Sequence, residues 1–328
     1  MEMTKRERLE ATIRGEPVDR PAVALWRHWP GDDQRAEDLA QAQVAFQERY
    51  DFDFMKVSPS SSYCLEDWGV VDRWVGGTDE GTREYIERPV RRPADWHELA
   101  VLDPYQGALG RQLRCLELIA AKVGPEVPFI QTIFSPLAQA KNLAGEDRLL
   151  VHLRRYPEDL KAGLETITET TVRFVREVLR MGTAGIFYAV QHACYSLLCE
   201  EEYRHLGRPY DLRILEGAQE GWFNVLHLHG GDIMFNALAD YPVQAINWHD
   251  RETWPSLAEA LEQCDKALIG GLRLLETMLL GTPDDVRAEA ADAIAQTGGR
   301  RFILGTGCVT PITSPTSNLY AAREAVEG

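Results

Sequence analysis

Long apolar runs are missing from this sequence. No stretch of about 18 apolar residues occurs, so no ordinary membrane-spanning helix is expected. The charged opening MEMTKRERLEATIRGEPVDR lacks the apolar centre of a secretory signal. Basic residues are also in deficit: 35 Lys and Arg stand against 51 Asp and Glu, a formal charge of −16. A surface of that sign repels phosphate backbones and anionic lipid, which argues against nucleic acid and membrane as partners. Cysteine is sparse. Cys64, Cys115, Cys194, Cys199, Cys264 and Cys308 are too scattered for a disulfide framework, so a reducing, cytoplasmic setting is expected. There is no low-complexity segment, short repeat or evident linker. No glycine-rich phosphate loop follows the first apolar run, which argues against a doubly wound nucleotide fold.

What the sequence does have is alternation. Short apolar runs of strand type are each followed by sequence of helical period. A first helix is signalled by a capping box at Thr4 and Glu7 and is ended by Gly15 and Pro17. Strands are then expected at Ala22–Trp26, Asp53–Val57, Val127–Gln131, Gly185–Ala189, Phe223–Leu228, Gln244–Asn247, Ala267–Gly270 and Phe302–Leu304. Helices are expected near Ala36–Arg49, Gln106–Lys122, Pro157–Arg180 and Thr316–Val326. In the third of these, Leu160, Leu164, Ile167, Thr171, Phe174 and Val178 form one stripe. Residues 68–92 break the alternation and read as a β-hairpin excursion over a turn near Gly76–Gly81. Eight βα units predict an α/β fold, a (β/α)8 barrel formed as one domain over 1–328.

Barrel enzymes carry their chemistry just past the C-terminal strand ends. Five of the eight histidines fall there: His28, His192, His227, His229 and His249. In a strand, residues i and i+2 point to one side, so His227 and His229 can both face the barrel mouth. Cys308 arrives from the last strand. Two imidazoles and a thiolate with an open fourth position make a candidate zinc site. The bland alternative is two backbone-bonded histidines and a small buried cysteine. His249, Tyr188 and His192 are candidate catalytic groups. Trp26, Arg27, His28, Tyr63, Gln191 and Trp248 are candidate substrate-binding groups, with Arg27 read as a carboxylate clamp between aromatic walls.

The stretch MTKRERLEATIRGEPVDRPAV, a charged helix followed by a G-x-x-x-D-R-x-P turn, resembles the opening of uroporphyrinogen decarboxylase superfamily proteins. The ending GGRRFILGTGCVTPITSPTSNLYAAREAV is similar to that superfamily's last strand and helix, and DFDFMKV and the His-x-His-Gly segment fall at its landmarks. The resemblance implies a distorted (β/α)8 barrel, often dimeric, that handles tetrapyrrole rings over its mouth. The decarboxylase branch carries Arg-Gln-Ala-Gly-Arg after its first strand, an Asp after its second and a His near its end. This chain has Trp26-Arg27-His28-Trp29, KVSPSSSY and Cys308 there. The zinc-dependent methyltransferase branch carries His-x-Cys and a later Cys. This chain keeps His227 and Cys308 and has His229 for the middle Cys. The resemblance therefore implies first a zinc-dependent, methyltransferase-like transferase acting on a small-molecule substrate, with a corrinoid as substrate or on a partner protein. Second is metal-free decarboxylation of a porphyrinogen-like substrate through Arg27. Third is a tetrapyrrole-binding protein without catalysis.

Overall fold

The computed structural model describes residues 2–76 and 81–327. Its opening helix, Lys5–Arg14, is bounded as its sequence dictates. Thr4 Oγ1 accepts from the Glu7 N–H, the Glu7 carboxylate accepts from the Thr4 N–H, and Gly15 ends the helix at φ 71°.

Ten strands follow among the described residues: β1 Ala22–Val23, β2 Met55–Val57, β3 Val71–Arg73, β4 Glu84–Glu87, β5 Phe129–Phe134, β6 Gly185–Val190, β7 Val225–Leu228, β8 Ala245–Trp248, β9 Ala267–Leu272 and β10 Phe302–Thr306. Eight of them form one parallel sheet in the order β1-β10-β9-β8-β7-β6-β5-β2. Helices lie between successive strands, as a (β/α)8 barrel requires. Every expected barrel strand is present, with shifted ends. β5 runs to Phe134 because Ile133 and Phe134 continue the buried apolar run, so Thr132 lies within the strand. The first strand is paired only over Ala22–Val23. The helix Pro157–Arg180 buries all six residues of its expected stripe.

The two edge strands, β1 and β2, meet without a ladder. Across the seam, the Asp53 N–H donates to Val23 O at 2.9 Å, and the Asp53 carboxylate accepts from the Val23 N–H at 2.8 Å. That carboxylate is fully buried. It takes Arg8 at 2.7 Å and Arg20 at 2.8 Å, and Arg8 also binds Asp19 at 2.8 Å. The Asp-Arg pair of the opening turn thus fastens the first helix beneath the seam. Above it, aromatic rings climb the barrel interior: Phe223 on Phe54 (5.0 Å between centroids), Phe54 on Trp26 (6.1 Å), Trp26 on Phe187 (5.3 Å) and Phe187 stacked on His227 (5.2 Å).

The expected excursion is an antiparallel hairpin of β3 and β4. Residues 77–80 of its expected turn lie outside the described residues. The buried pair of Arg83 and Asp33 (2.9 Å) and the bond between Tyr85 and Ser61 hydroxyls (2.9 Å) hold it against the barrel mouth. No helix among the described residues is long and apolar enough to cross a membrane.

Removing the Asp53 carboxylate leaves two guanidinium groups short of a partner in the interior. Asp53→Ala should lower the unfolding free energy by ~3–5 kcal/mol, the cost of breaking a buried ion pair from one side. Urea denaturation followed by circular dichroism measures it.

Candidate metal centre

A cavity of about 270 Å³ opens at the C-terminal ends of the strands. The period of two along each strand decides what lines it. On β6 and just beyond, Phe187, Ala189 and Gln191 face in, while Tyr188 faces the helices. On β7 the inward residues are His227 and, one step past the strand, His229. Trp26 and His28 face in past β1, and Lys56 faces in from β2.

His227 Nε2 lies 3.8 Å and His229 Nδ1 3.7 Å from Cys308 Sγ, and the three ligand atoms fall within 4.8 Å of one another. Tetrahedral coordination with metal–nitrogen and metal–sulfur bonds of ~2.0 and ~2.3 Å sets the N···S edge at roughly 3.5 Å. The donor set therefore fits a metal with little movement. The far side of His227 is also fixed. Its Nδ1 meets Asn247 Oδ1 at 2.7 Å, and Asn247 Nδ2 donates to Ile269 O at 2.9 Å and Thr306 O at 3.0 Å. With its amide nitrogen committed to two carbonyls, Asn247 can present only its oxygen. His227 therefore carries its proton on Nδ1 and leaves Nε2 free as a ligand. Gly307 lets the last loop lie close, since a Cβ there would stand 2.6 Å from His249 Cα and 2.9 Å from Trp248 O.

The electrostatics are those of a cation-rich pocket in an acidic protein. No Asp or Glu is among the described residues lining the cavity. Burial pushes the Lys56 ammonium down to about 8, with the Cys308 sulfur pulling the other way. Burial, with Lys56 nearby, takes His28 to about 4. Burial also lowers His227. Burial opposes ionisation of Cys308, but the facing His227, His229 and His249 outweigh it and hold the thiol well below its ordinary value. His249 is raised to about 9: burial opposes its charge, and the Cys308 sulfur and Glu252 override burial.

The remaining residues singled out from the sequence are dispersed. Trp26, His28 and Gln191 line the cavity. Arg27 does not. It points outward over Trp29 (4.4 Å) and Phe46 (5.4 Å) and donates to Ile312 O at 3.3 Å, because it alternates with its inward neighbours. Tyr188 faces away from the mouth and donates to the buried Asp211 at 2.5 Å. Tyr203 and Tyr241 donate to the same carboxylate, and burial lifts it to about 6 against these three bonds. Tyr63 is tied to Thr132 O at 2.8 Å and borders a separate small void. Trp248 donates to Pro255 O at 2.8 Å behind β8. His192 is buried with both ring nitrogens unpartnered and does not line the cavity. His249 stands beside His227 and His229. Lys56, Lys141, Phe187 and Asn247 escaped sequence reasoning. The available signal was a polar residue inside an apolar strand, as in DFMKV and AINW.

Residues 4–328 match the family model described as Uroporphyrinogen decarboxylase (URO-D). The chain is 25% identical over 341 residues to methylcobamide:CoM methyltransferase MtbA of Methanosarcina acetivorans, covering 99% of this chain and 98% of that one. It is 21% identical over 346 residues to MtaA, the methylcobamide:CoM methyltransferase of Methanosarcina barkeri, covering 98% of each. A methyltransferase structure from Methanosarcina mazei shares its fold with a TM-score of 0.86 at 20% identity, over 98% of this chain and 99% of that one.

Two variants separate support of the centre from support of the fold. Asn247→Ala should weaken metal affinity roughly 10- to 100-fold, the usual cost of losing an outer partner of a ligating histidine, as read by chelator competition. Tyr188→Phe should leave metal affinity unchanged and cost about 1–3 kcal/mol of stability, since it removes one donor from a buried carboxylate.

Proposed function

The chain belongs to the uroporphyrinogen decarboxylase family, and from that premise we propose that it is a zinc-dependent methyltransferase carrying a methyl group from a methylated corrinoid to a thiol. The observation that carries this reading is the convergence of His227, His229 and Cys308 on one point of a cavity with no carboxylate among its described lining residues. The Methanosarcina relatives are named for a methylcobamide and CoM, and these supply the donor and acceptor classes. The decarboxylase alternative loses its support, because Arg27, the residue assigned to neutralise a carboxylate, points out of the cavity.

Zinc held by the three residues would supply a Lewis acid that draws a thiol towards its thiolate near neutral pH. The chain's own residues do the rest. Asn247 keeps His227 in the ligating tautomer. The ammonium groups of Lys56 and Lys141 line the cavity, where they favour an anionic acceptor and the thiolate over the thiol. Trp26, Phe134 and Phe187 give the methyl group an apolar approach that excludes water. His249, paired with Glu252 at 3.0 Å and held largely charged near neutral pH, would favour the thiolate as the thiol proton leaves to solvent. In the transfer, the carbon–cobalt bond breaks with both electrons staying on the corrinoid, and the new carbon–sulfur bond uses a sulfur lone pair. The donor arrives free or on a partner protein.

Purified protein should hold about one zinc per chain by mass spectrometry, and should lose it in Cys308→Ala. With methylcobalamin and 2-mercaptoethanesulfonate, the zinc-loaded protein should bleach the methylcobalamin band and yield a methyl thioether, and Cys308→Ala should do neither. A wild-type protein that takes up no zinc, or that methylates none of a panel of thiols, would sink the proposal.

A further inference from the structure

We propose that a second cavity, outside the barrel wall, binds a small phosphate monoester through Arg27, Arg49 and Ser314. The inference does not depend on the metal reading above. It gives Arg27 the anion that the barrel mouth does not.

This cavity measures about 240 Å³. It lies between the helix Ala36–Tyr50, the segment past β1 and the segment entering the last helix, Thr316–Glu324. Two arginines line it, and no Asp or Glu does among the described residues. Arg27 is framed by Trp29 at 4.4 Å and Phe46 at 5.4 Å, which fixes the plane of its fork. A single bond, from Nη1 to Ile312 O at 3.3 Å, engages little of a group with five donors. Its Nε is enclosed and has no partner. Burial lowers this guanidinium from its ordinary value, and the like charge of Arg49 works in the same direction. Arg49 itself lies over the ring of Tyr50 at 5.3 Å.

Three neighbouring features fit the same ligand. Ser314 Oγ, also in the lining, is buried without a partner. The last helix begins at Thr316 in the lining, and no side chain caps its first turn. The leading N–H groups of a helix have no partner within it and favour an anion. Ala42, Ala45 and Phe46 share a helix face with Arg49, and with Leu319 they offer an apolar floor to the organic part of an ester. Two guanidinium groups call for a dianion, which a lone carboxylate is not. A tetrahedral phosphate presents oxygens to both forks and to a hydroxyl at once. Loops after the last strands and a helix N-terminus form a recurrent phosphate site in (β/α)8 barrels. Ile312 follows Cys308 in one segment, so Arg27 joins the proposed ligand to the chain that carries the thiol.

Isothermal titration calorimetry of the full-length protein, in chloride at fixed ionic strength, tests the proposal. Phenyl phosphate should bind once per chain with a Kd at or below about 1 mM. Inorganic phosphate should bind roughly 10-fold more weakly for want of the apolar floor, and benzoate more weakly than either. Arg49→Gln alters an exposed side chain, so the fold should be kept, and it should weaken phenyl phosphate at least about 10-fold. Arg27→Met should do the same. Lys56→Met, the control for anions held in the metal cavity, should bind phenyl phosphate as wild type does. No binding by wild type, binding that survives both arginine variants, binding lost in Lys56→Met, or benzoate as tight as phenyl phosphate would each overturn the inference. Zinc content and methyl transfer do not enter this test, so the transferase reading stands or falls apart from it.

Discussion

The centre hangs on one amide. Asn247 sits on β8, accepts a hydrogen bond from the Nδ1–H of His227 on β7, and donates its amide N–H groups to the carbonyls of Ile269 on β9 and Thr306 on β10. Four neighbouring strands thereby meet at one side chain. The sheet register sets His227 directly opposite Asn247, so the bond is a cross-strand pair within the barrel and not a loop contact that must be ordered on binding. The side chain that selects the tautomer of a ligand also ties the strand bearing that ligand to the strand leading to Cys308. Geometry at the candidate metal site and geometry of the sheet are one problem here, solved once.

Much of the architecture could be read from apolar spacing. Eight short runs, each followed by helical sequence, gave the eight barrel strands. The imidazole pair at 227 and 229 was found by applying the period of two. That same rule, carried along the other strands, would have turned Arg27, Tyr188 and Trp248 outward and Lys56 and Asn247 inward. Strand ends obscured it, because a one-residue error in where a strand stops reverses every assignment beyond it. Tyr63 and His192 lie past strand ends, where the period no longer applies. The hydrogen bond from Tyr188 to Asp211 joins residues 23 apart in sequence, and the Asp53–Arg8–Arg20 cluster joins residues up to 45 apart. Such pairings have no local signature. They become visible only once the strands are arranged.

The charge of the pocket sets this chain apart within the chemistry proposed for it. A divalent metal with two imidazoles and one thiolate carries one more positive charge than the same metal with one imidazole and two thiolates. Lys56 adds to it, and no carboxylate lines the cavity among the described residues. Such a site pulls harder on a thiol proton and leaves the bound sulfur less electron-rich. The balance shifts from nucleophilic strength towards capture of the thiolate.

The seam between β1 and β2 also bears on the mouth of the barrel. Every other joint between neighbouring strands is a ladder, whereas this one depends on the backbone and side chain of Asp53 near its lower end. Trp26 and His28 stand above one side of the seam and Lys56 above the other. The aromatic wall and the lysine wall of the cavity are thus joined through one buried carboxylate, on the arc away from the strand that carries His227.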